Sequence, residues 1–179
     1  RPPRSTLFPY TTLFRSIDQE TLGGANTHSA ISGTTDYHEP DDVTALERIR
    51  KIIDHINLPT ERAFRQVKSE PPEYPPDDLY KIFNPDNTGQ YDILDIISRI
   101  VDGSNFEGYK SSYGKTIVCG TAKIGGMNVG IVANQRNIQK SELGEMQMGG
   151  VIYSDSSDKA ARFIMNCNQD RIPLLFIQD

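Results

Sequence analysis

Polar residues follow two apolar runs whose composition favours buried strands. Asn134 closes the run GIVAN, and Gln178 and Asp179 close the run IPLLFIQD. In open α/β sheets, ligands bind at the carboxyl ends of the strands, so these side chains are candidates for ligand binding. A further candidate is the pair Gly149 and Gly150, because glycine lets the backbone approach a ligand closely. The same pair could simply form a turn, and the sequence leaves both interpretations open.

Composition and charge exclude several classes of function. The chain has 179 residues and a net charge of −5, and because residues 1–16 hold three Arg and no acid, the rest carries −8. Such an acidic protein is a poor partner for nucleic acid or an anionic membrane. No apolar run reaches the 18 residues of a membrane span. Cys119 and Cys167 stand in apolar surroundings, so we expect buried, reduced thiols. No Cys/His spacing indicates a zinc site, and we expect no metal.

The elements that must position the candidate residues form a strand–helix–strand pattern. Residues 41–56 predict a helix with one apolar face, and residues 91–104 predict a second apolar helix capped by Gly103. Residues 115–134 predict a β-hairpin around GGMN. A helix over 156–171, with Phe163 and Cys167 facing inward, leads into 172–179, which is apolar enough for a fully buried strand. The chain is therefore predicted to have an α/β fold.

A proline-rich segment divides the chain. Residues 67–89 contain five prolines and several acids, a composition typical of an extended linker. We therefore place a domain boundary there, with one unit over 17–66 and another over 90–179.

The first sixteen residues, RPPRSTLFPYTTLFRS, differ in kind from the rest. They have no amphipathic period, and their three prolines would break a helix. A common short-read sequencing adapter, translated in frame, gives a sequence that resembles this one residue for residue. We interpret residues 1–16 as an artefactual scar on a metagenomic-type gene fragment. On this interpretation the natural N-terminus is missing and the C-terminus is suspect.

Three segments, taken together, resemble one protein family. They are LGGANTHSAISGTTDYHEPDDVTALERIRKII, YDILDIISRIVDGSNFEGYKSSYGKTIVCGTAKIGGMNVGIVANQ and KAARFIMNCNQDRIPLLFIQD. Their content and order resemble the carboxyltransferase (beta) subunit of biotin-dependent acyl-CoA carboxylases, with propionyl-CoA and methylcrotonyl-CoA carboxylases as the nearest relatives. The resemblance covers nearly all of residues 17–179.

The resemblance implies a crotonase-like ββα spiral (ClpP/crotonase type), present here in part. Residues 17–66 would be the C-terminal tail of the N-terminal carboxyltransferase domain, and residues 90–179 the first half of the C-terminal one. The implied activity moves a carboxyl group from carboxybiotin to the α-carbon of an acyl-CoA. Backbone N–H groups in loops outside this chain would stabilise the oxyanions, so we expect no catalytic side chain here and an inactive chain. The acyl-CoA or biotin pocket would be lined by Asn134, Gly149, Gly150, Gln178 and Asp179.

The resemblance also implies partners and a location. The cofactor would be biotin on a separate carrier domain or subunit. The partners would be acyl-CoA, a biotin carboxylase, the biotin carrier subunit and further copies of the same protein. A bacterial cytoplasmic location is expected, and the mitochondrial matrix stays open because the natural N-terminus is missing.

One departure from the family pattern leaves the direction of the reaction open. The loop over 135–158 is longer than is usual after GIVAN, and in this it resembles the carboxyltransferase subunit of glutaconyl-CoA decarboxylase. Decarboxylation onto biotin is therefore the alternative to carboxylation. The non-enzymatic alternative is that the chain is an inactive fragment.

Overall fold

A computed structural model describes residues 17–56, 66–83 and 89–179, so the predicted scar over 1–16 lies outside the described residues. Five α-helices occur there, together with a π-helical turn over Thr27–Ile31 and 3-10 turns over Pro76–Asp78 and Asp102–Ser104. The helices are α1 (Gln19–Gly23), α2 (Asp42–His55), α3 (Leu79–Ile82), α4 (Ile93–Ile97) and α5 (Ser154–Gln169). The strands are β1 (Phe106–Tyr109), β2 (Ile117–Ile124), β3 (Met127–Asn134), β4 (Gln139–Lys140), β5 (Met146–Gln147) and β6 (Leu174–Ile177).

The main sheet has four strands in the order β1-β2-β3-β6. β2 and β3 form the predicted antiparallel hairpin, which turns at Gly125 and Gly126 with φ angles of 61° and 79°. Two successive positive φ angles are those of a type I′ turn, which matches the twist of the strands. β3 and β6 pair in parallel, with Ala133 opposite Ile177, and α5 connects them. The predicted strand–helix–strand unit is thereby confirmed.

Apolar side chains cover both faces of the sheet, because successive residues of a strand point to opposite sides. On one face Ile131 and Ala133 pack with Ile93 and Ile97 of α4. On the other face Val132 packs with residues of α5, including the predicted inward residues Phe163 and Cys167. Both cysteines are buried and free, as predicted.

α4 is shorter than the predicted helix, because regular α-helix ends at Ile97. The chain continues in turns, but Val101 stays fully buried in the same cluster. Gly103 has a φ of 57° inside the following 3-10 turn, a conformation that glycine adopts without strain.

The apolar face of α2 is exposed, although the helix itself lies where the sequence predicts it. Val43, Leu46, Ile49 and Ile53 are between 50 and 67% exposed. Polar contacts tie the helix to the sheet instead. Arg48 and Lys51 both pair with the buried carboxylate of Glu107 on β1, and Lys123 on β2 pairs with Asp54. We call the four exposed side chains the α2 stripe.

β6 differs from the fully buried strand that its composition predicts. It is an edge strand of the described sheet, and Phe176 is 59% exposed. Its apolar run therefore faces solvent along one edge.

The described part of the proline-rich segment is largely extended, with short helical turns over residues 76–82. It passes the β2–β3 turn, where the Val67 amide donates to the carbonyl of Gly126 over 2.9 Å. The assignment of residues 67–89 as an interdomain linker remains a prediction.

Candidate functional site

The carboxyl ends of β3 and β6 lie side by side, and direct hydrogen bonds join their last residues. The Asn134 Nδ2 donates to the backbone oxygen of Asp179 over 2.7 Å, and the Asp179 amide donates to the Asn134 Oδ1 over 3.2 Å. The Asn134 side-chain amide thus extends the hydrogen-bond ladder between β3 and β6 by one step. This places the two predicted strand-end positions in one site.

The carboxylate of Asp179 is held by two donors. Tyr91 donates its hydroxyl to the Asp179 Oδ2 over 2.7 Å, and the Arg136 Nε lies 3.1 Å from the same oxygen. Burial is the main cause, and the hydrogen bond to Asp179 the second, of a pKa for Tyr91 that is raised to about 12. Its hydroxyl therefore stays protonated and donates at neutral pH. The Asp179 carboxylate thereby fixes the positions of the Tyr91 hydroxyl and the Arg136 guanidinium.

The two glycines of the candidate pair have different roles in the structure. A β-carbon at Gly149 would overlap the carbonyl carbon and oxygen of Arg136. The absence of a side chain at Gly149 therefore lets it pack against the Arg136 backbone. Gly150 has a φ of 77°, and its amide donates to the carbonyl of Gln135 over 2.7 Å. The pair therefore docks the 135–158 loop against the end of β3.

These contacts border a cavity of about 250 Å³. Four of the five predicted site residues line it, namely Asn134, Gly150, Gln178 and Asp179. Gly149 lies beside it, against the Arg136 backbone. Apolar side chains form the rest of the wall, and they are Ile117, Val132, Ala133, Ile152, Phe176 and Ile177. Such a cavity can hold a small, largely apolar group and bind one polar edge of it at the strand ends.

Three residues outside the predicted set of five also shape this site. Tyr91 and Arg136 hold Asp179, as described above. Gln135 is 4% exposed, and its Oε1 accepts from the Ile93 amide over 3.1 Å while its Nε2 donates to Asp92 over 2.9 Å. It thereby fixes the start of α4 against the end of β3. Only Gln135 had a local signal, because it directly follows the GIVAN strand. Tyr91 lies 88 positions from Asp179 in the chain.

Neither metal ligation nor a membrane span is found in the part of the chain that the structure describes. No group of three or more His, Cys, Asp or Glu side chains is arranged there to hold a metal ion. None of its helices has the length and apolarity to cross a membrane.

Comparison with known proteins identifies relatives. The model of the carboxyl transferase domain family matches residues 10–179. The biotin-dependent 3-methylcrotonyl-coenzyme A carboxylase beta1 subunit of Mycobacterium tuberculosis is 41% identical over 164 residues, which cover 91% of this chain and 28% of the relative. Glutaconyl-CoA decarboxylase subunit alpha of Acidaminococcus fermentans is 30% identical over 170 residues, covering 92% of this chain and 29% of the relative.

A solved structure shows the same fold. Transcarboxylase 12S, crystallised with methylmalonyl-coenzyme A and methylmalonic acid, superposes with a TM-score of 0.80 at 29% identity. The match covers 94% of this chain and 32% of that one. The fold is therefore the predicted α/β, crotonase-like one, and the chain spans about 30% of the length of these relatives.

Proposed function

The chain belongs to the carboxyl transferase domain family, and from this we propose that it is part of a biotin-dependent acyl-CoA carboxyltransferase. The reaction moves a carboxyl group from carboxybiotin to the α-carbon of an acyl-CoA. The relatives named above support this activity, since one is a biotin-dependent carboxylase subunit and another a decarboxylase of an acyl-CoA. The observation that carries the proposal is the cavity at the carboxyl ends of β3 and β6.

The cavity fits the chemistry of a bicyclic urea or a short acyl group. Its apolar walls suit a hydrocarbon or thioether ring, and amide side chains at the strand ends supply both N–H donors and oxygen acceptors. Gln178 is exposed at the end of β6 and is the residue we expect to contact the ligand. Asn134 and Asp179 are bonded to each other, and we expect them to fix the geometry of the edge. Carboxybiotin, when bound, supplies the carboxyl group.

In the carboxyl transfer, we expect this chain's own residues to bind and position the ligand and not to act as acid or base. Asp179 is paired with Arg136 and Tyr91, and these contacts hold its side chain in place at the cavity. Oxyanion stabilisation by aimed backbone donors is typically worth about 3 kcal/mol per donor, and we expect those donors in loops outside this chain. We therefore propose that the chain alone is inactive.

The domain arrangement and the partners belong to the same proposal. Residues 17–66 would end the N-terminal domain, and residues 90–179 would begin the C-terminal one. Assembly with a biotin carboxylase, a biotin carrier subunit and further copies is expected. The exposed α2 stripe supports an assembly, because an apolar face of this kind is usually covered by other protein. A bacterial cytoplasmic or a mitochondrial matrix location suits such an enzyme.

A chimaera tests the proposal. Residues 17–179 replace the matching segment of the Mycobacterium tuberculosis relative, to which the chain is 41% identical. Biotin-dependent carboxylation of 3-methylcrotonyl-CoA or another short acyl-CoA is expected from the folded chimaera and not from residues 17–179 alone. A folded chimaera that transfers no carboxyl group in either direction would contradict the proposal.

The same chimaera separates the two directions. The similarity to glutaconyl-CoA decarboxylase favours biotin-dependent decarboxylation as the second candidate function. Transfer of the carboxyl group from glutaconyl-CoA to free biotin, giving carboxybiotin faster than any acyl-CoA is carboxylated, would favour that candidate.

A further inference from the structure

A second cavity contains a buried amine that the proposed function does not use. Lys159 lies on α5 and is 2% exposed. Its Nζ donates to the carbonyl oxygen of Tyr113 over 2.8 Å and, more weakly, to that of Lys110 over 3.4 Å. Within residues 17–56, 66–83 and 89–179, no carboxylate forms an ion pair with it. An ammonium group buried without a counter-ion is unfavourable.

Lys110 provides a contrast in the same molecule. It is 3% exposed and also donates to a backbone carbonyl, that of Gly33, over 2.6 Å. Unlike Lys159, it has a carboxylate partner, because the Asp36 Oδ1 lies 2.6 Å from its Nζ. Lys159 has no such carboxylate among the described residues to stabilise its charged form, and burial of an amine without one favours the neutral form.

The charged and titratable groups around Lys159 shift its pKa in opposite directions. Burial is the largest effect and lowers the pKa of Lys159 to about 8. Cys119 on β2 and Asp155 at the start of α5 raise that pKa, whereas Lys110 and Lys115 lower it further. A substantial fraction of Lys159 is therefore a neutral amine in mildly alkaline solution, and a desolvated neutral amine is a good nucleophile.

The cavity beside Lys159 has a volume of about 350 Å³ and a mixed lining. Phe106, Tyr109 and Val118 contribute apolar surface, and Ser111 and Lys115 contribute O–H and N–H donors. A small, uncharged molecule can enter such a space without losing strong hydration. Asp92 also lines the cavity, but its carboxylate already accepts from the Leu94 amide and the Gln135 Nε2, so the donors of Ser111 and Lys115 are the ones that a newly formed anion would meet.

We propose that Lys159 binds CO2 covalently as a carbamate. The lone pair of the neutral Nζ attacks the carbon of CO2, a C–N bond forms, and one C=O electron pair moves onto oxygen. The nitrogen then releases one proton to solvent, so that the amine and CO2 give a carbamate anion and H⁺. The anion replaces the buried ammonium cation, and the nearby positive charges of Lys110 and Lys115, which disfavour that cation, favour the anion. This modification requires dissolved CO2 alone and does not depend on carboxyl transfer.

Isotope labelling tests the carbamate directly. The full chain is labelled with 15N at the lysine Nζ and equilibrated with 13C-labelled bicarbonate and CO2 near pH 8.5. A 13C resonance split by coupling to 15N is expected, and its intensity should rise with pH at a fixed CO2 pressure. The coupling separates a lysine carbamate from one on the N-terminal amine. The resonance should vanish in Lys159→Arg and persist in Lys110→Arg, the matched buried control.

Chemical trapping locates the modified residue without any variant. Treatment of the equilibrated wild-type chain with triethyloxonium ion converts a carbamate to a stable ester, which peptide mapping by mass spectrometry assigns. Modification at Lys159 is expected even if Lys159→Arg fails to fold. A carbamate at Lys110 or an exposed lysine instead, or no coupled resonance at all, would overturn the proposal.

Discussion

Replacing Gly149 by alanine should destabilise the chain through a backbone clash. The new β-carbon would overlap the carbonyl group of Arg136 and lie 2.8 Å from its Cα, whereas carbon atoms prefer about 3.5 to 4.0 Å. Because the obstacle is backbone, no side chain can move aside. Gly149 does not need the left-handed backbone region, so the whole effect comes from this contact.

The size of the effect follows from two contributions. Overpacking of this kind costs about 1 to 3 kcal/mol. Because the loop must also shift to relieve part of the clash, the Gly150–Gln135 hydrogen bond is lost as well, at about 1 kcal/mol. We expect a total loss of about 2 to 4 kcal/mol in the free energy of unfolding. Urea denaturation followed by far-UV circular dichroism measures it, since the chain has no tryptophan.

Gly144→Ala is the matched control for this substitution. Gly144 has a φ of 87°, and among the described residues no atom lies within 4 Å of the position that its β-carbon would take. Alanine there therefore meets only backbone strain of about 1 to 2 kcal/mol. Amide hydrogen exchange gives a local readout, because the Gly150 amide should exchange faster in Gly149→Ala alone. A free energy for Gly149→Ala within about 0.5 kcal/mol of wild type, with unchanged exchange at Gly150, would refute the reasoning.

Three further predictions concern the strand ends, the tyrosine and the terminus. Asn134→Ala removes two hydrogen bonds to Asp179 and should cost about 1 to 3 kcal/mol in urea denaturation, and an unchanged midpoint would contradict this. Tyr91 should titrate near pH 12 by absorbance, and closer to its ordinary value of 10 in Asp179→Asn. The stability that the protonated hydroxyl contributes should be fully present below pH 10 and lost as the pH rises toward 12. An Asp179→Asn titration identical to wild type would show that the carboxylate has no influence. Deleting residues 1–16 should change the free energy of unfolding by no more than about 0.5 kcal/mol, and a loss of several kcal/mol would show that they pack.

The local elements were predictable because their signals are local. The hairpin follows from two β-rich runs around a Gly-Gly pair, and α5 follows from the spacing of Phe163 and Cys167. The parallel pairing of β3 with β6 follows from the strand–helix–strand order. In the structure that pairing brings Asn134 beside Asp179.

Burial was less predictable, because it depends on what lies beside each element. The α2 stripe has helical spacing, but spacing cannot show whether another surface covers it. β6 has the composition of a central strand and lies at an edge of the described sheet. The contacts of Tyr91 and Arg136 with Asp179 join distant parts of the chain, and no short-range pattern encodes them.

The central claim, that the cavity at the ends of β3 and β6 binds the biotin or acyl group, can be tested most directly at Gln178. In the chimaera, we would measure KM for free biotin and for acyl-CoA with Gln178→Leu, and with Met165→Ala on the exposed side of α5 as control. Loss of one ligand hydrogen bond should raise one of the two KM values about tenfold in Gln178→Leu and leave the control unchanged. Wild-type values of both constants in a folded Gln178→Leu chimaera would contradict the claim.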